Sequence, residues 1–408
     1  MATTKNISLW ALYDFANSII MIVFLFYFSQ WVVIDSGKPD WWFNSTLIIS
    51  SLIFVFTAPV AAQVIDRSKK RMPGLRLTTL IAALLYSGTA LITLFWPSQV
   101  LLAVIFCTGA LYFYLLCFVY YTPLIKDLST SDNRSFISGI GQGANSLGQV
   151  LGLIFALPFA TGMVYLFGEE GRIQALLPAV VAFVVLALPM LIWFKEEAGI
   201  PTEVSVLEEY KVVFSTLKKI FSVPNLALMF LAYFLFSDAY LTFGNNYPIF
   251  LQKVFGVSDT VKSLLTASIL LLSVFSALVF GRIADRFGKK KTLLVILSSM
   301  SVFLVVLALS PSFTFAAIAS LLCGLVYGPA YSVSRAMVAD YAPEELSASS
   351  FSYYVLAERF ATFIGPLLWS GILVGAVSYG ATSYSFAILG MVVLIIISLP
   401  LVWKIQSR

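Results

Sequence analysis

Long apolar runs recur along the whole chain, each about as long as a bilayer's hydrocarbon core is thick. Crossing that core, about 30 Å, takes about 20 predominantly apolar residues in a helix. Twelve such runs can be drawn, at 9–33, 43–65, 75–95, 100–121, 136–161, 174–194, 226–251, 264–280, 292–309, 313–337, 350–374 and 384–405. With 60% hydrophobic residues, only 11% charged and a mean hydropathy of +0.94, the chain has too little polar surface to coat a soluble domain. The expected fold is therefore an all-α integral membrane protein of twelve transmembrane helices.

The distribution of lysine and arginine tests that division. With the N-terminus placed in the cytoplasm, 20 of the 25 basic residues fall on inside-facing segments and only Lys38, Arg172, Lys253 and Lys262 on outside-facing ones, while Arg359 lies within a run. Such a bias is how topology is written, and both termini are predicted to be cytoplasmic. The same clustering between apolar runs explains the pI of 8.9 and net charge of +5 without a nucleic-acid partner. Cys107, Cys117 and Cys323 lie inside apolar runs with no CxxC spacing and read as buried small hydrophobes, so neither disulfide nor metal site is expected. The start of the chain lacks a charged n-region and a cleavage site, and its first run is expected to be retained.

The longest polar break, 195–224, divides the chain into six-helix bundles at 1–194 and 225–408. Within it Val206, Leu207, Tyr210, Val213, Phe214, Leu217, Ile220 and Phe221 recur at helical spacing, with Glu208, Glu209, Lys211, Lys218 and Lys219 largely off that face. This predicts an amphipathic linker helix on the bilayer surface, with docking of a partner protein as the other reading. The two bundles repeat one another. Ala62-Gln63-Val64-Ile65-Asp66-Arg67 after the second run is answered by Gly281-Arg282-Ile283-Ala284-Asp285-Arg286 after the eighth, and Asp14 in the first run by Asp238 in the seventh, 224 positions on. Two parallel repeats about an axis along the membrane normal are expected.

The stretch from Gly281 to Lys291, with Gly288 and Lys289 at its turn, resembles the cytoplasmic-loop signature of the major facilitator superfamily, G-x-L-A-D-R-x-G-R-K. The first-half copy keeps Asp66 and Arg67 but has Ala62 and Lys69 where the glycines would stand. The resemblance implies that Asp66, Arg67, Gly281, Asp285, Arg286, Gly288 and Lys289 brace a cytoplasmic gate. Within that superfamily Tyr13-Asp14-Phe15-Ala16-Asn17-Ser18 resembles the first-helix motif of the vacuole-effluxer-like branch, whose yeast relative exports amino acids from the vacuole. Ile137–Ala144, the Phe230–Phe234 and Ser237-Asp238 stretches, and Phe360–Leu368 are similar to it as well. The chain departs from the branch at Glu358-Arg359, where Gly-Lys is usual, and at Asp238-Ala239, where Asp-Gly is usual. The resemblance implies a secondary transporter that works by alternating access, with amino-acid export as its narrowest form.

Asp14, Asp238, Glu358 and Arg359 are the charged residues placed within runs. A charge at bilayer depth costs about 2.5–3.5 kcal/mol on insertion scales, so each is expected to face protein or a water-filled cavity. One arrangement has Arg359 facing Asp14 or Asp238 across a central cavity, with Glu358 as a second acid. Withdrawal of an arginine from a buried acid can convert an ionised carboxylate to a protonated one, which would couple transport to protons in a chain without histidine. A structural ion pair and recognition of substrate charge remain the other readings. Asp14 is expected nearer the cytoplasmic mouth than Asp238, a depth that suits the gate more than the binding site.

Ser138, Gln142, Asn145 and Gln149 recur at i, i+4, i+7 and i+11 as a polar stripe on the fifth run, a cavity wall or a seam of interhelical hydrogen bonds. Gly139 and Gly143 beside it would let a neighbouring helix approach closely. Asn17, Tyr327, Tyr331, Ser334 and Tyr354 are expected companions, and Asn245 and Asn246 are expected at the external mouth. Gly328-Pro329 and Gly365-Pro366 are expected to unwind or kink their helices, as gating bends or packing kinks.

No GxSxG, HExxH or phosphate-binding GxxxxGK[ST] is present, so an intramembrane enzyme and an ATP-driven pump are not expected. The expectation is a cofactor-free, monomeric, multi-pass carrier of the cell membrane for a small polar or zwitterionic solute, coupled to protons. A non-transporting receptor with this fold and an exporter of a drug or metal ion are the alternatives. Arg359→Ala and Asp238→Asn are each expected to abolish proton-coupled flux while leaving membrane insertion intact; flux unchanged at every pH in proteoliposomes would contradict the coupling assignment.

Overall fold

The computed structural model describes residues 4–68, 70–129, 134–196, 206–342 and 363–406. Lipid offers no partner to backbone N–H and C=O groups, so a spanning segment must satisfy them internally. Among the described residues, eleven helices are long and apolar enough to cross a bilayer. They are α1 (Thr4–Asp35), α2 (Asp40–Ser68), α3 (Met72–Phe95), α4 (Val100–Tyr121), α5 (Arg134–Ala160), α6 (Leu176–Trp193), α7 (Pro224–Phe255), α8 (Asp259–Phe287), α9 (Lys289–Ala308), α10 (Phe313–Tyr341) and, after the shorter α11 (Ile364–Gly375), α12 (Thr382–Lys404). The N-terminal part of the eleventh predicted run lies outside the described residues. Several helices outrun their apolar runs, α8 most clearly, because Asp259, Lys262, Arg282 and Arg286 end the hydropathy but not the helix.

Polar side chains inside these helices are largely absorbed locally. Ser50, Ser87, Thr108, Ser301 and Ser320 each donate to the carbonyl four residues back, at 2.5–3.0 Å. Trp41, Trp96, Trp193 and Trp403 lie exposed at helix ends, as expected of interfacial anchors. The C-terminal half of α1 winds through two π-helical turns, Phe24–Phe28 and Trp31–Asp35.

The chain forms two compact units, Met1–Val212 and Val213–Arg408. Their boundary falls within the linker helix, Val206–Phe221, which forms as the sequence spacing predicts. In the first unit α1 packs on α5 and α6, α2 on α4, and α3 on α4 and α6. In the second, α7 packs on α11 and α12, α8 on α10, and α9 on α10 and α12. The pairings correspond helix for helix, as the internal repeat requires.

Glycine sets the tightest crossings, at positions other than those expected. Cβ atoms added at Gly139 or Gly143 would meet nothing within 4 Å. At Gly148 an added Cβ would stand 2.5 Å from the Phe15 carbonyl oxygen and 2.8 Å from the Ser18 Cβ, and at Gly152 3.1 Å from the Ile19 Cα. Helix α5 thus crosses α1 backbone against backbone about two and a half turns further along than the sequence spacing suggests. In the second unit Gly324 and Gly328 of α10 lie against the backbone of Ile269 and Ser273 of α8. Gly328-Pro329 therefore serves this crossing, and α10 does not unwind: it is α-helical throughout. Pro366 stands in the first described turn of α11, where a missing N–H is tolerated.

Gly148→Ala and Gly328→Ala are each expected to destabilise the protein by about 1–3 kcal/mol through overpacking, with Gly139→Ala near neutral. Thermal unfolding of the purified variants in detergent reads the difference; equal midpoints for Gly148→Ala and Gly139→Ala would contradict the crossing.

Candidate functional site

Helix α1 is held from two sides around Asp14. On one side the Tyr13 hydroxyl hydrogen-bonds Thr79 Oγ1 of α3 at 2.6 Å, and the Tyr121 hydroxyl of α4 donates to the Trp10 carbonyl at 2.9 Å. Trp10 and Tyr121 also stack, with ring centroids 5.2 Å apart. On the other side Gly148 admits Phe15 and Ser18. This turns Asp14 toward α5, where Asn145 Nδ2 donates to its Oδ1 at 3.3 Å and Gln149 Nε2 donates to Asn145 Oδ1 at 2.8 Å. The carboxylate is half-buried, and the bond from Asn145 lies beyond the usual 2.7–3.2 Å for N–H···O. Asn17 is fully buried; its Nδ2 donates to the Tyr13 carbonyl at 2.8 Å, while its Oδ1 meets no donor among the described residues.

Of the predicted polar stripe, Asn145 and Gln149 thus join Asp14. Gln142 is exposed on the same helix. The Ser138 side chain lies outside the described residues.

Asp238 is satisfied differently. It is buried, and its Oδ2 accepts the backbone N–H of Gly365, in the first turn of α11, at 2.6 Å. Thr242 donates to Oδ1 at 3.4 Å. A Cβ on Gly365 would collide with the Thr242 hydroxyl, so only glycine fits there. The two acids at corresponding positions therefore meet different groups: the side-chain amide of Asn145 at Asp14, a helix N-terminus at Asp238.

Tyr327 and Tyr331 of α10 come together on α7, as expected. Tyr327 stacks on Tyr240 at 5.6 Å, Tyr331 lies 5.4 Å from Tyr327, and Tyr233 meets Tyr331 edge-on at 6.2 Å. Tyr327 and Tyr331 are half-buried in front of the fully buried Tyr233 and Tyr240. Ser334 is buried in the same helix, with its hydroxyl donating to the Tyr331 carbonyl at 3.1 Å. Asn246, expected at an external mouth, is instead buried and donates to the Thr242 carbonyl at 2.9 Å; Asn245 is half-buried. Tyr354, Glu358 and Arg359 lie outside the described residues.

At the end predicted to be cytoplasmic, Gly288 caps α8 at φ +96°, a conformation that favours glycine, while Gly281 meets no such demand. Lys289 pairs with Asp340 at 2.6 Å, tying α9 to the end of α10, and Lys290 donates to the Ile405 carbonyl at 2.6 Å. Asp285 and Arg286 are exposed, and among the described residues neither makes an ion pair. The side chains of Asp66 and Arg67 lie outside the described residues. Among the described residues of the first unit, the Glu196 carboxylate accepts the N–H groups of Arg71 and Met72 at 2.7 and 3.0 Å and so caps α3. Arg71 in turn pairs with Asp127.

Sequence reasoning missed two charged clusters at the other end. Arg172 lies 3.2 Å from Asp35 and donates to Gln30 at 3.0 Å. Lys262, counted above as a loop cation, is fully buried in α8, 2.6 Å from Asp259 and hydrogen-bonded to Gln252. The 224-residue spacing of Asp35 and Asp259, the same as that of Asp14 and Asp238, was the available signal.

Asp238→Ala is expected to cost about 1–3 kcal/mol by leaving the buried Gly365 N–H unpaired, whereas Asp14→Ala, at a half-buried position where water can replace the carboxylate, costs less. A thermal midpoint lowered more by Asp14→Ala than by Asp238→Ala would contradict this assignment.

Comparison with known proteins agrees with the geometry. Residues 229–407 match the profile of the Major Facilitator Superfamily. An uncharacterized MFS-type transporter, YxiO, of Bacillus subtilis (strain 168) is 24% identical over 421 residues, 97% of this chain and 94% of its own length. Autophagy-related protein 22-2 of Aspergillus niger is 24% identical over 49% of this chain and 35% of its own. A Na(+), Li(+), K(+)/H(+) antiporter of Planococcus maritimus is 33% identical over 147 residues, 34% of this chain and 32% of its own. Among solved structures, a bacterial homologue of the human lysosomal transporter Spinster superposes with a TM-score of 0.75 at 13% identity, covering 99% of this chain and 97% of that one. A D-xylose-proton symporter gives 0.69 at 14% identity, covering 98% and 97%. The chain is a multi-pass membrane protein with the fold of these solved transporters, and the proteins it is similar to are transporters of the Major Facilitator Superfamily type, not enzymes.

Proposed function

We propose that this chain is a secondary active transporter that moves a small polar or zwitterionic solute by alternating access, coupled to protons, across the cell membrane. The observation that carries the reading is the Asp14–Asn145–Gln149 chain on α1 and α5. A half-buried carboxylate held by a long bond from a neutral amide can exchange that donor for a stronger one. A proton, or a solute ammonium making a charge-assisted hydrogen bond, is such a donor. Asp238, engaged by the backbone of α11, fits a positioning role better. A proton-symporter neighbour and the transporter relatives support the class. The likeness to autophagy-related protein 22-2 supports an amino acid as solute, and the vacuole-effluxer resemblance supports export as the direction.

A second reading, exchange of a monovalent cation for protons, is favoured by the buried Asn17 Oδ1, an oxygen that meets no donor among the described residues one turn from Asp14, and by the antiporter relative.

Proteoliposomes loaded with labelled amino acids test the first reading. Asp14→Asn is expected to abolish accumulation driven by a pH gradient while sparing equal-concentration exchange. Undiminished pH-driven accumulation in Asp14→Asn would overturn the role of Asp14, and accumulation of alkali cations alone would favour the second reading.

A further inference from the structure

Of the apolar face expected of the linker helix, the side chains of Val206, Leu207, Tyr210 and Val213 lie outside the described residues. Ile220 is fully buried, whereas Phe214 and Phe221 are 68% and 46% exposed. Lys211 and Lys218 are exposed too, and they fall on the same side of the helix as the two phenylalanines, giving a stripe Lys211, Phe214, Lys218, Phe221 at i, i+3, i+7 and i+10, with Lys219 exposed alongside. Two large aromatic rings interleaved with cations suit neither water nor a protein core. They suit the headgroup layer of a bilayer, where rings enter the acyl boundary and lysines meet phosphates.

Chain continuity supports that depth. Only Ser222 and Val223 separate Phe221 from Pro224, the first residue of α7, so the helix end lies within about 10 Å of a membrane-spanning helix's start. The exposed Trp403 and Lys404 at the end of α12 belong to the same unit as Phe214 and Phe221, and Asn225 and Gln406 join the start of α7 to the end of α12 through two hydrogen bonds of 3.0 and 3.1 Å. Under the predicted topology this is the cytoplasmic side, where lysine-rich segments meet anionic lipid.

We propose that the Lys211, Phe214, Lys218 and Phe221 face, with Lys219, is a binding surface for anionic phospholipid headgroups. The three lysines give selectivity for negative charge, and the two phenylalanines give depth.

The test uses the full chain carrying Ser215→Cys, labelled with an environment-sensitive fluorophore; Cys107, Cys117 and Cys323 are buried and should not react. The protein is reconstituted in phosphatidylcholine vesicles with and without phosphatidylglycerol. With phosphatidylglycerol, the emission is expected to shift to the blue and to be quenched by a lipid carrying a nitroxide at headgroup depth. Lys211→Gln, Lys218→Gln and Lys219→Gln, all surface changes, should each lower the docked-to-undocked ratio by about fivefold and together remove the effect. Equal quenching in both vesicles, or in the triple variant, would overturn the claim of anionic selectivity. A probe shielded from aqueous iodide yet unquenched by the lipid nitroxide would show that protein, not lipid, covers the face, and would overturn the proposal as well.

Discussion

The crossing of α1 and α5 at Gly148 and Gly152 is the contact on which the rest of the first unit depends. Two helices can come backbone to backbone only where one of them lacks side chains, and Gly148 meets the Phe15 carbonyl and the Ser18 Cβ there. Pinned on that side and tied to α3 and α4 through Tyr13 and Tyr121 on the other, α1 has little freedom to rotate. Asp14 is thereby fixed opposite Asn145. Each residue from Tyr13 to Ser18 then has a physical reason: a tether, an acid, a close backbone, a buried small side chain, and two polar groups that bond back to their own helix.

The second unit solves the same problem with different chemistry. Its counterpart of Asp14 is buried rather than half-buried, and the N–H that meets it belongs to the backbone of α11, so it cannot swing away as a side-chain amide can. Thr242, standing 224 positions after Ser18, turns its hydroxyl to the carboxylate instead of to the carbonyl of its own helix. A repeat in sequence has thus become a division of labour. The first unit keeps an acid met by a side-chain amide, and the second keeps an acid that holds a helix end and, beside it, a wall of tyrosines.

Much of this was legible in the sequence because lipid imposes a simple rule. Length and hydropathy placed the helices, the lysine and arginine bias gave their expected direction, and the repeat gave the pairing of units. Asn145 and Gln149 could be read from their spacing, since polar residues four apart share one face of a helix. What could not be read was which of many glycines a neighbouring backbone would choose. Gly139 and Gly148 are alike in sequence, and only packing distinguishes them. The buried Lys262 was hidden for a related reason: near a helix end a lysine resembles a topology signal until Asp259 and Gln252 are seen to enclose it. Asn246 was misplaced because its bond to the Thr242 carbonyl lets an amide sit in an apolar interior.

The account turns on a carrier in which Asp14 meets either a proton or the solute. Purified protein in liposomes, offered labelled amino acids, sugars and drugs under separately imposed pH and voltage gradients, tests that claim most directly. The account predicts accumulation of a zwitterionic solute that follows the pH gradient and collapses with a protonophore. Movement of no solute under any gradient, or movement that ignores the protonophore, would contradict it.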